Sequence, residues 1–220
     1  FNIKFFLDNE STNLNEIFQK FLNYSNINTK ISNFDFLKNK ADNKFSSKIP
    51  IKDYLHIHLD EKWFSNIYIQ KYTDINPSFD DFIKFLEKIY QKNDILITTG
   101  LIDFSLIDDL KSKYFTKVND KIFIKKNGDK SIYLVYKPLF EDLESLLRNS
   151  KTLIACHGAI THAANSFNVK KLDILEKSKV NFYNRFTSYL TDYHTIYRSN
   201  FNSVKSEIYK KILNFWFFLY

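Results

Sequence analysis

Apolar residues come in short bursts over the first 50 positions and in a regular alternation after them. Asn2 to Leu7 reads as a short strand. Asn13 followed by Glu16 resembles a capping box, and Leu14, Ile17, Phe18, Phe21 and Leu22 fall on one helical face. Ile27 to Ile31 predicts another strand. Asn33 to Lys48 is polar and patternless, a loop or linker that ends at Pro50. From Tyr54 the pattern is regular. Tyr54 to Leu59 predicts a strand. Ser78 and Asp81 cap a helix whose apolar stripe is Phe79, Phe82, Ile83, Leu86, Ile89 and Tyr90. Asp94 to Gly100 predicts a buried strand ending in a glycine turn, and Phe104, Ile107 and Leu110 mark a helix. Ile122 to Ile124 and Ile132 to Tyr136 flank an Asn127-Gly128 turn, as in a hairpin. Leu143, Leu146 and Leu147 mark a helix, Thr152 to Cys156 a strand, Thr161 to Phe167 a helix and Leu172 to Leu175 a strand. Val204, Ile208, Ile212, Phe215 and Leu219 form the stripe of a long final helix.

Strand alternates with helix from Tyr54 to Leu175, which predicts an α/β fold with a Rossmann-like parallel sheet, flanking helices and a long C-terminal helix. The expected division is 1–50, a short β/α segment or remnant, and 51–220, the main domain. The composition agrees: 44% of the 220 residues are hydrophobic, and glycine and proline number three each, too few for an all-β protein rich in tight turns. No methionine occurs, so an incomplete chain is the expectation. The net charge of +7 is spread without a run of five basic residues, which makes a basic surface the plain reading and leaves nucleic acid without a recognised motif. The single cysteine, Cys156, forms no internal disulfide and fits a reducing compartment. Phe1 to Leu7 is too short for a signal peptide, and the aromatic tail Asn214 to Tyr220 reads as a docked helix end rather than an anchor.

In open parallel sheets, ligands bind outside the carboxyl ends of strands. The sharpest such end is Cys156-His157-Gly158-Ala159-Ile160-Thr161-His162, where a buried strand runs through a glycine into a helix. Gly158 lets backbone approach a ligand, amides near Thr161 and its hydroxyl suit a diphosphate, and His157 and His162 can donate to phosphate or sugar oxygens. The bland alternative is a plain strand–turn–helix. Lys62, after the first regular strand, is a candidate point charge for phosphate, though a loop lysine is usually just solvated. Tyr136-Lys137-Pro138 and Thr98-Thr99-Gly100 mark two further strand ends.

Taken together, these stretches resemble the C-terminal domain of GT-B glycosyltransferases, and within them the heptosyltransferase-like family (glycosyltransferase family 9-like). The matching pieces are Lys62 in His58-Leu59-Asp60-Glu61-Lys62-Trp63, the strand Ile95-Leu96-Ile97-Thr98-Thr99-Gly100, the helix from Leu143 to Ser150, and the glycine loop with a following histidine, Gly158 to His162. The resemblance covers about residues 54–200. It implies donor-binding roles for Lys62, Thr99, Gly100, Lys137, His157, Gly158, Thr161 and His162. The family's Asp-Thr-Gly is replaced here by Cys156-His157-Gly158, which leaves the donor open. The implied activity is transfer of a sugar from a nucleotide-sugar donor to a glycan or lipid-linked acceptor, without metal or other cofactor. The implied setting is polysaccharide biosynthesis in the cytoplasm, at or near the inner face of a membrane, with self-association open. The catalytic base is unassigned; Asp8 and Glu10 read as ordinary loop acids.

Two other classes compete. His56, His58 and Asp60 alternate on one strand face, as in metal-dependent hydrolases, with His157, His162 and His194 as possible further ligands. A non-catalytic binding or assembly module fits the missing base and the short first segment.

Overall fold

The computed structural model describes residues 14–26 and 45–213. The expected strands at 2–7 and 27–31, most of the 33–48 loop and the tail 214–220 lie outside the described residues. Among the described residues, eight strands form one sheet: β1 (Tyr54–Leu59), β2 (Ile95–Thr99), β3 (Thr116–Lys117), β4 (Ile122–Asn127), β5 (Lys130–Val135), β6 (Ser150–Cys156), β7 (Lys170–Leu175) and β8 (Tyr193–Tyr197). Seven α-helices accompany them: α1 (Leu14–Tyr24), α2 (Phe79–Tyr90), α3 (Ser105–Asp109), α4 (Phe140–Leu147), α5 (Ala159–Asn165), α6 (Val180–Thr187) and α7 (Phe201–Leu213).

The spatial order is β3-β4-β5-β2-β1-β6-β7-β8. β5, β2, β1, β6, β7 and β8 run parallel, and β3 and β4 add an antiparallel edge. Counted among themselves, the six parallel strands lie in the order third, second, first, fourth, fifth, sixth. That is the doubly wound Rossmann order, whose direction reverses between β1 and β6. The reversal matters because the chain leaves β1 and β6 towards opposite faces, the topology in which ligands bind in the crevice outside the carboxyl ends of the strands.

Alternation along the strands assigns the faces. Leu55, Ile57, Leu59, Ile95, Ile97, Ile154, Leu172 and Ile174 pack with α2, α3 and α7. Tyr54, Leu96, Tyr133 and Val135 pack with Leu146 of α4, together with Ile49, Phe45 and Ile51. Leu153 and Ala155 pack with Ile160, Ala163 and Ala164 of α5. The central strands are buried on both faces: β2 opens with the apolar run Ile95-Leu96-Ile97, whereas β1 alternates apolar residues with the buried His56 and His58.

α2 forms where expected. The Ser78 hydroxyl accepts from the Asp81 amide at 3.2 Å, acidic residues fill the first turn, and Phe82, Phe85, Leu86 and Ile89 bury one stripe. α7 returns from the β8 edge to lie on α2, with Phe201 against Phe82 and Phe85 and Tyr209 against Phe85. Its described part therefore packs on its own sheet. α3 runs into a π-turn at Leu110–Tyr114. The β4–β5 turn is centred on Gly128 and Asp129, one residue later than the sequence suggests, with Gly128 at φ +63°. α5 begins at Ala159, two residues before the expected start, with Gly158 as its N-cap.

Candidate functional site

The crevice at the direction reversal is built from the ends of β1, β2 and β6. After Leu59 the chain makes a short 3₁₀ turn, Glu61–Trp63. Trp63 anchors it: the indole is fully buried, donates from Nε1 to the His58 carbonyl at 2.9 Å, and packs on Phe82 and Phe201. Asp60 caps the turn, its Oδ1 accepting from the Lys62 amide at 3.2 Å. Its other oxygen pairs with the Lys62 Nζ at 2.8 Å. This holds the ammonium over Gly158, where an added Cβ would sit 2.6 Å from Nζ. Gly158 has an extended backbone that any residue adopts, φ 175°, so what the glycine supplies there is space beneath the ammonium and not a special angle. Gly100 also supplies space, since a Cβ would come within 2.8 Å of the Asp60 Cβ.

Charge follows burial here. Desolvation pushes the Asp60 carboxyl up against the opposing pull of Lys62. Desolvation works against the Lys62 charge, but Asp60 outweighs it and holds the ammonium above the ordinary lysine value.

Beneath Asp60 runs a chain of buried polar groups. His58 Nε2 lies 3.5 Å from Asp60 Oδ2. His58 Nδ1 and His56 Nε2 both reach the Thr98 hydroxyl, at 2.9 and 2.8 Å, and His56 Nδ1 reaches the Ser150 hydroxyl at 3.1 Å. Donor counting orders the protons. Ser150 donates to the Leu146 carbonyl, so it accepts from His56 Nδ1. Thr98 then donates to His56 Nε2 and accepts from His58 Nδ1. Burial lowers both imidazoles to about 3, with His58 adding to the effect at His56 and Lys62 at His58.

A pH dependence follows. Each histidine takes a proton at the ordinary 6.5 when unfolded and at about 3 when folded. Between those values the unfolded chain binds more protons, so stability is full above about pH 6.5 and is lost as pH falls towards about 3. Each contributes a slope of about 1.4 kcal/mol per pH unit. Urea unfolding at a series of pH values is expected to show this slope, reduced by roughly one histidine's share in His58→Gln; an unchanged slope in that variant would contradict the assignment.

A second cluster lies one strand further on. Asp173, on β7 opposite Ala155 of β6, is fully buried. It accepts three bonds: from His157 Nδ1 at 2.6 Å, the Thr161 hydroxyl at 2.9 Å and the Tyr193 hydroxyl at 2.8 Å. The His157 ring meets Tyr183 and His162 edge-on, at 4.8 and 5.2 Å between centroids. His162 Nδ1 bonds the Tyr189 hydroxyl at 2.7 Å, and burial lowers this imidazole to about 4, with His157 adding to the effect.

Of the residues expected at the site, Lys62 and Gly158 meet directly, and Gly100 abuts Asp60. His157 and Thr161 are joined through Asp173, with His162 beside His157. Both Thr161 donors are used within the protein, since its amide bonds the Gly158 carbonyl at 3.0 Å and its hydroxyl bonds Asp173. Thr99 and Lys137 form a separate group two strands from β6. The Lys137 amide donates to the Thr99 hydroxyl at 2.8 Å, and its Nζ is pinned to Asp103 at 2.6 Å. The histidines considered for a metal are engaged otherwise. His56 and His58 turn to Thr98, while His194, near the start of β8, bonds Asp192 at 3.0 Å. Among the described residues, no group of three or more His, Cys, Asp or Glu side chains is disposed to hold a metal ion.

Asp60, Asp173 and Arg198 are the groups the sequence reading missed or assigned otherwise. Asp173 carries a signal, a carboxylate inside the buried run Lys170-Lys171-Leu172-Asp173-Ile174-Leu175. Arg198, just past β8, donates to the Lys62 carbonyl at 2.6 Å and the Thr73 carbonyl at 2.8 Å, so it ties the Lys62 turn to the far end of the sheet. Nothing local in sequence marks it. Burial raises the Cys156 thiol, which makes it an inert core group.

No family model matches the chain, and no curated protein matches it in sequence. Among solved structures it is similar to the E. coli ADP-heptose lipopolysaccharide heptosyltransferase II (TM-score 0.49, 7% identity), over 78% of this chain and 49% of that one. It is similar to the E. coli heptosyltransferase WaaC with ADP (TM-score 0.47, 8% identity), over 77% of this chain and 47% of that one. It is also similar to the UDP-GlcNAc 2-epimerase from Methanocaldococcus jannaschii (TM-score 0.46, 12% identity), over 91% and 59%. The chain thus spans about half the length of the two heptosyltransferases. The fold assignment rests on the strand order and register described above.

Proposed function

We propose that the chain binds the diphosphate of a nucleotide sugar above β1 and β6 and serves as the donor half of a glycosyltransferase. The observation that carries this reading is the Lys62 ammonium, held by a buried carboxylate over a glycine at the point where strand order reverses. A phosphate entering there finds a fixed cation and a backbone without side-chain bulk. In the transfer, an acceptor hydroxyl attacks the sugar's anomeric carbon and the nucleoside diphosphate departs. Lys62 would stabilise the charge that grows on the departing group, so the reading invokes no metal ion. The sequence resemblance to heptosyltransferase-like enzymes supports the same placement of Lys62 and Gly158. The acceptor is proposed to be a glycan or lipid-linked hydroxyl, and the compartment the cytoplasm. No helix among the described residues is long and apolar enough to cross a membrane.

The test is a thermal-shift screen of the folded protein against UDP, GDP, ADP and CMP and their sugar conjugates. A ligand bound only by the native state raises its stability, by about 2.7 kcal/mol at a hundredfold excess over Kd. A clear shift with one nucleotide series is the expected result. No shift with any of them would overturn the reading.

A further inference from the structure

His157 stands beside the glycine under Lys62, the cation proposed to meet the departing diphosphate. Its imidazole is set up for more. Nδ1 is locked on the fully buried Asp173 at 2.6 Å. Nε2 has no hydrogen-bond partner among the described residues, and the side chain keeps 11% of its surface exposed. Asp173 is itself held from two other sides, by Thr161 of α5 and Tyr193 of β8. A carboxylate fixed by three donors cannot swing, so it sets both the tautomer and the direction of the ring. The ring is also braced by His162 and Tyr183, and Tyr183 bonds Tyr72 at 3.0 Å. A buried His–Asp pair with one free nitrogen, next in chain to a glycine capped by an ammonium, has the make-up of an acid beside an anion site.

We infer that His157 is the proton donor to the departing diphosphate and that Asp173 is its positioning residue; this rests on the nucleotide-sugar reading above. In the step, the bond between the anomeric carbon and the diphosphate oxygen breaks, and its electron pair stays on that oxygen. The oxygen takes the Nε2 proton of the His157 imidazolium. His157 is left neutral, still donating from Nδ1 to Asp173. The acceptor oxygen forms the new bond to the anomeric carbon and loses its own proton to water, and His157 is recharged from solvent as the next donor binds. Asp173 stabilises the imidazolium before transfer and holds the ring throughout, without itself taking the proton.

The test reads proton uptake on binding and needs no acceptor. UDP, GDP and ADP are titrated in turn into the protein above pH 7, where the terminal phosphate is mostly doubly charged, in two buffers of different ionisation heat. Among the described residues, the titratable groups facing His157 are Asp173, Tyr193, His162 and Tyr183, with Lys62 and its partner Asp60 over the next residue; Asp60 would take up a proton if the anion drew Lys62 from it, and that uptake would survive in His157→Asn. His157→Asn keeps a donor where Nδ1 was and removes the titrating group. Wild type is expected to take up close to one proton per bound nucleotide, and Kd is expected to tighten by up to about tenfold per unit fall in pH. His157→Asn is expected to bind several-fold more weakly with no linked proton. Tyr193→Phe, which leaves His157 on Asp173, is expected to keep the uptake. Nucleotide bound with the same proton uptake in wild type and His157→Asn would overturn this inference and leave the nucleotide reading standing. No nucleotide bound by wild type would overturn both.

Discussion

Lys62→Ala is expected to weaken nucleoside-diphosphate binding by about 100-fold. A charge-assisted contact to phosphate contributes about 1.5–3 kcal/mol, or roughly 10- to 150-fold in Kd. The upper part of that range applies because the ammonium is already in place. Asp60 holds it at 2.8 Å, and the side chain is only 17% exposed, so little ordering remains to be done on binding. Gly158→Val separates position from charge. Its side chain would occupy the space in which Nζ lies at 2.6 Å from a Cβ, yet Nζ is the end of a flexible chain and can move. That variant is expected to fold with near-wild-type stability and still lose most of its affinity. Lys62→Ala, in contrast, leaves Asp60 buried without its cation. Because burial already pushes this carboxyl up, it can take a proton, and the expected stability loss is modest, about 1–3 kcal/mol. Isothermal titration of both variants, with urea unfolding alongside, checks the pair. Wild-type affinity in Lys62→Ala would remove Lys62 from the site.

Asp173→Ala is expected to be the most destabilising single change in the crevice, at about 3–5 kcal/mol. Three donors converge on this carboxylate from α5, β8 and the turn after β6, and the substitution leaves each of them without its acceptor in a buried setting. A loss of that size is a large share of the roughly 5–15 kcal/mol that holds a domain together. Tyr193→Phe removes one donor and leaves the carboxylate satisfied by the other two, so it is expected to cost about 1 kcal/mol. Urea unfolding monitored by circular dichroism distinguishes the two. An Asp173→Ala loss below that of Tyr193→Phe would contradict the picture of a shared anchor.

These effects concentrate on residues that local pattern shows unevenly. β1, β2, β6 and α2 were legible because each carries a local signature: a short apolar run or an alternation of apolar residues for a strand, or a cap followed by a 3.6-residue stripe. β8 was not, because Tyr193-His194-Thr195-Ile196-Tyr197 lies at the sheet edge and is mostly half-buried, so no apolar run marks it. α6 escaped for the same reason, with Thr187 its only fully buried residue. β3 is two exposed residues. The start of α5 is expected at Thr161, whereas Gly158 caps the helix and the Thr161 hydroxyl is drawn inward to Asp173.

Within the crevice, Lys62 and Gly158 could be found from strand ends alone, since each follows a buried strand directly. Their meeting could not, because it depends on β1 and β6 being neighbours although 90 residues separate them. His56 and His58 were correctly placed on one strand face. Their chemistry was not legible, since Thr98 and Ser150, the groups that hold them, come from β2 and β6. Asp60 was taken with those histidines, and only the folded chain pairs it with Lys62.

The protein contains three glycines, Gly100, Gly128 and Gly158, so ¹⁵N-glycine labelling reduces the amide spectrum to three resonances. Gly158 lies under Lys62 and Gly100 against Asp60, whereas Gly128 sits in the β4–β5 turn at the opposite end of the sheet. Titration with the nucleoside diphosphate that stabilises the protein most is expected to move the Gly158 resonance furthest, Gly100 less and Gly128 not at all. A bound nucleotide that leaves Gly158 in place would contradict a diphosphate site above β1 and β6.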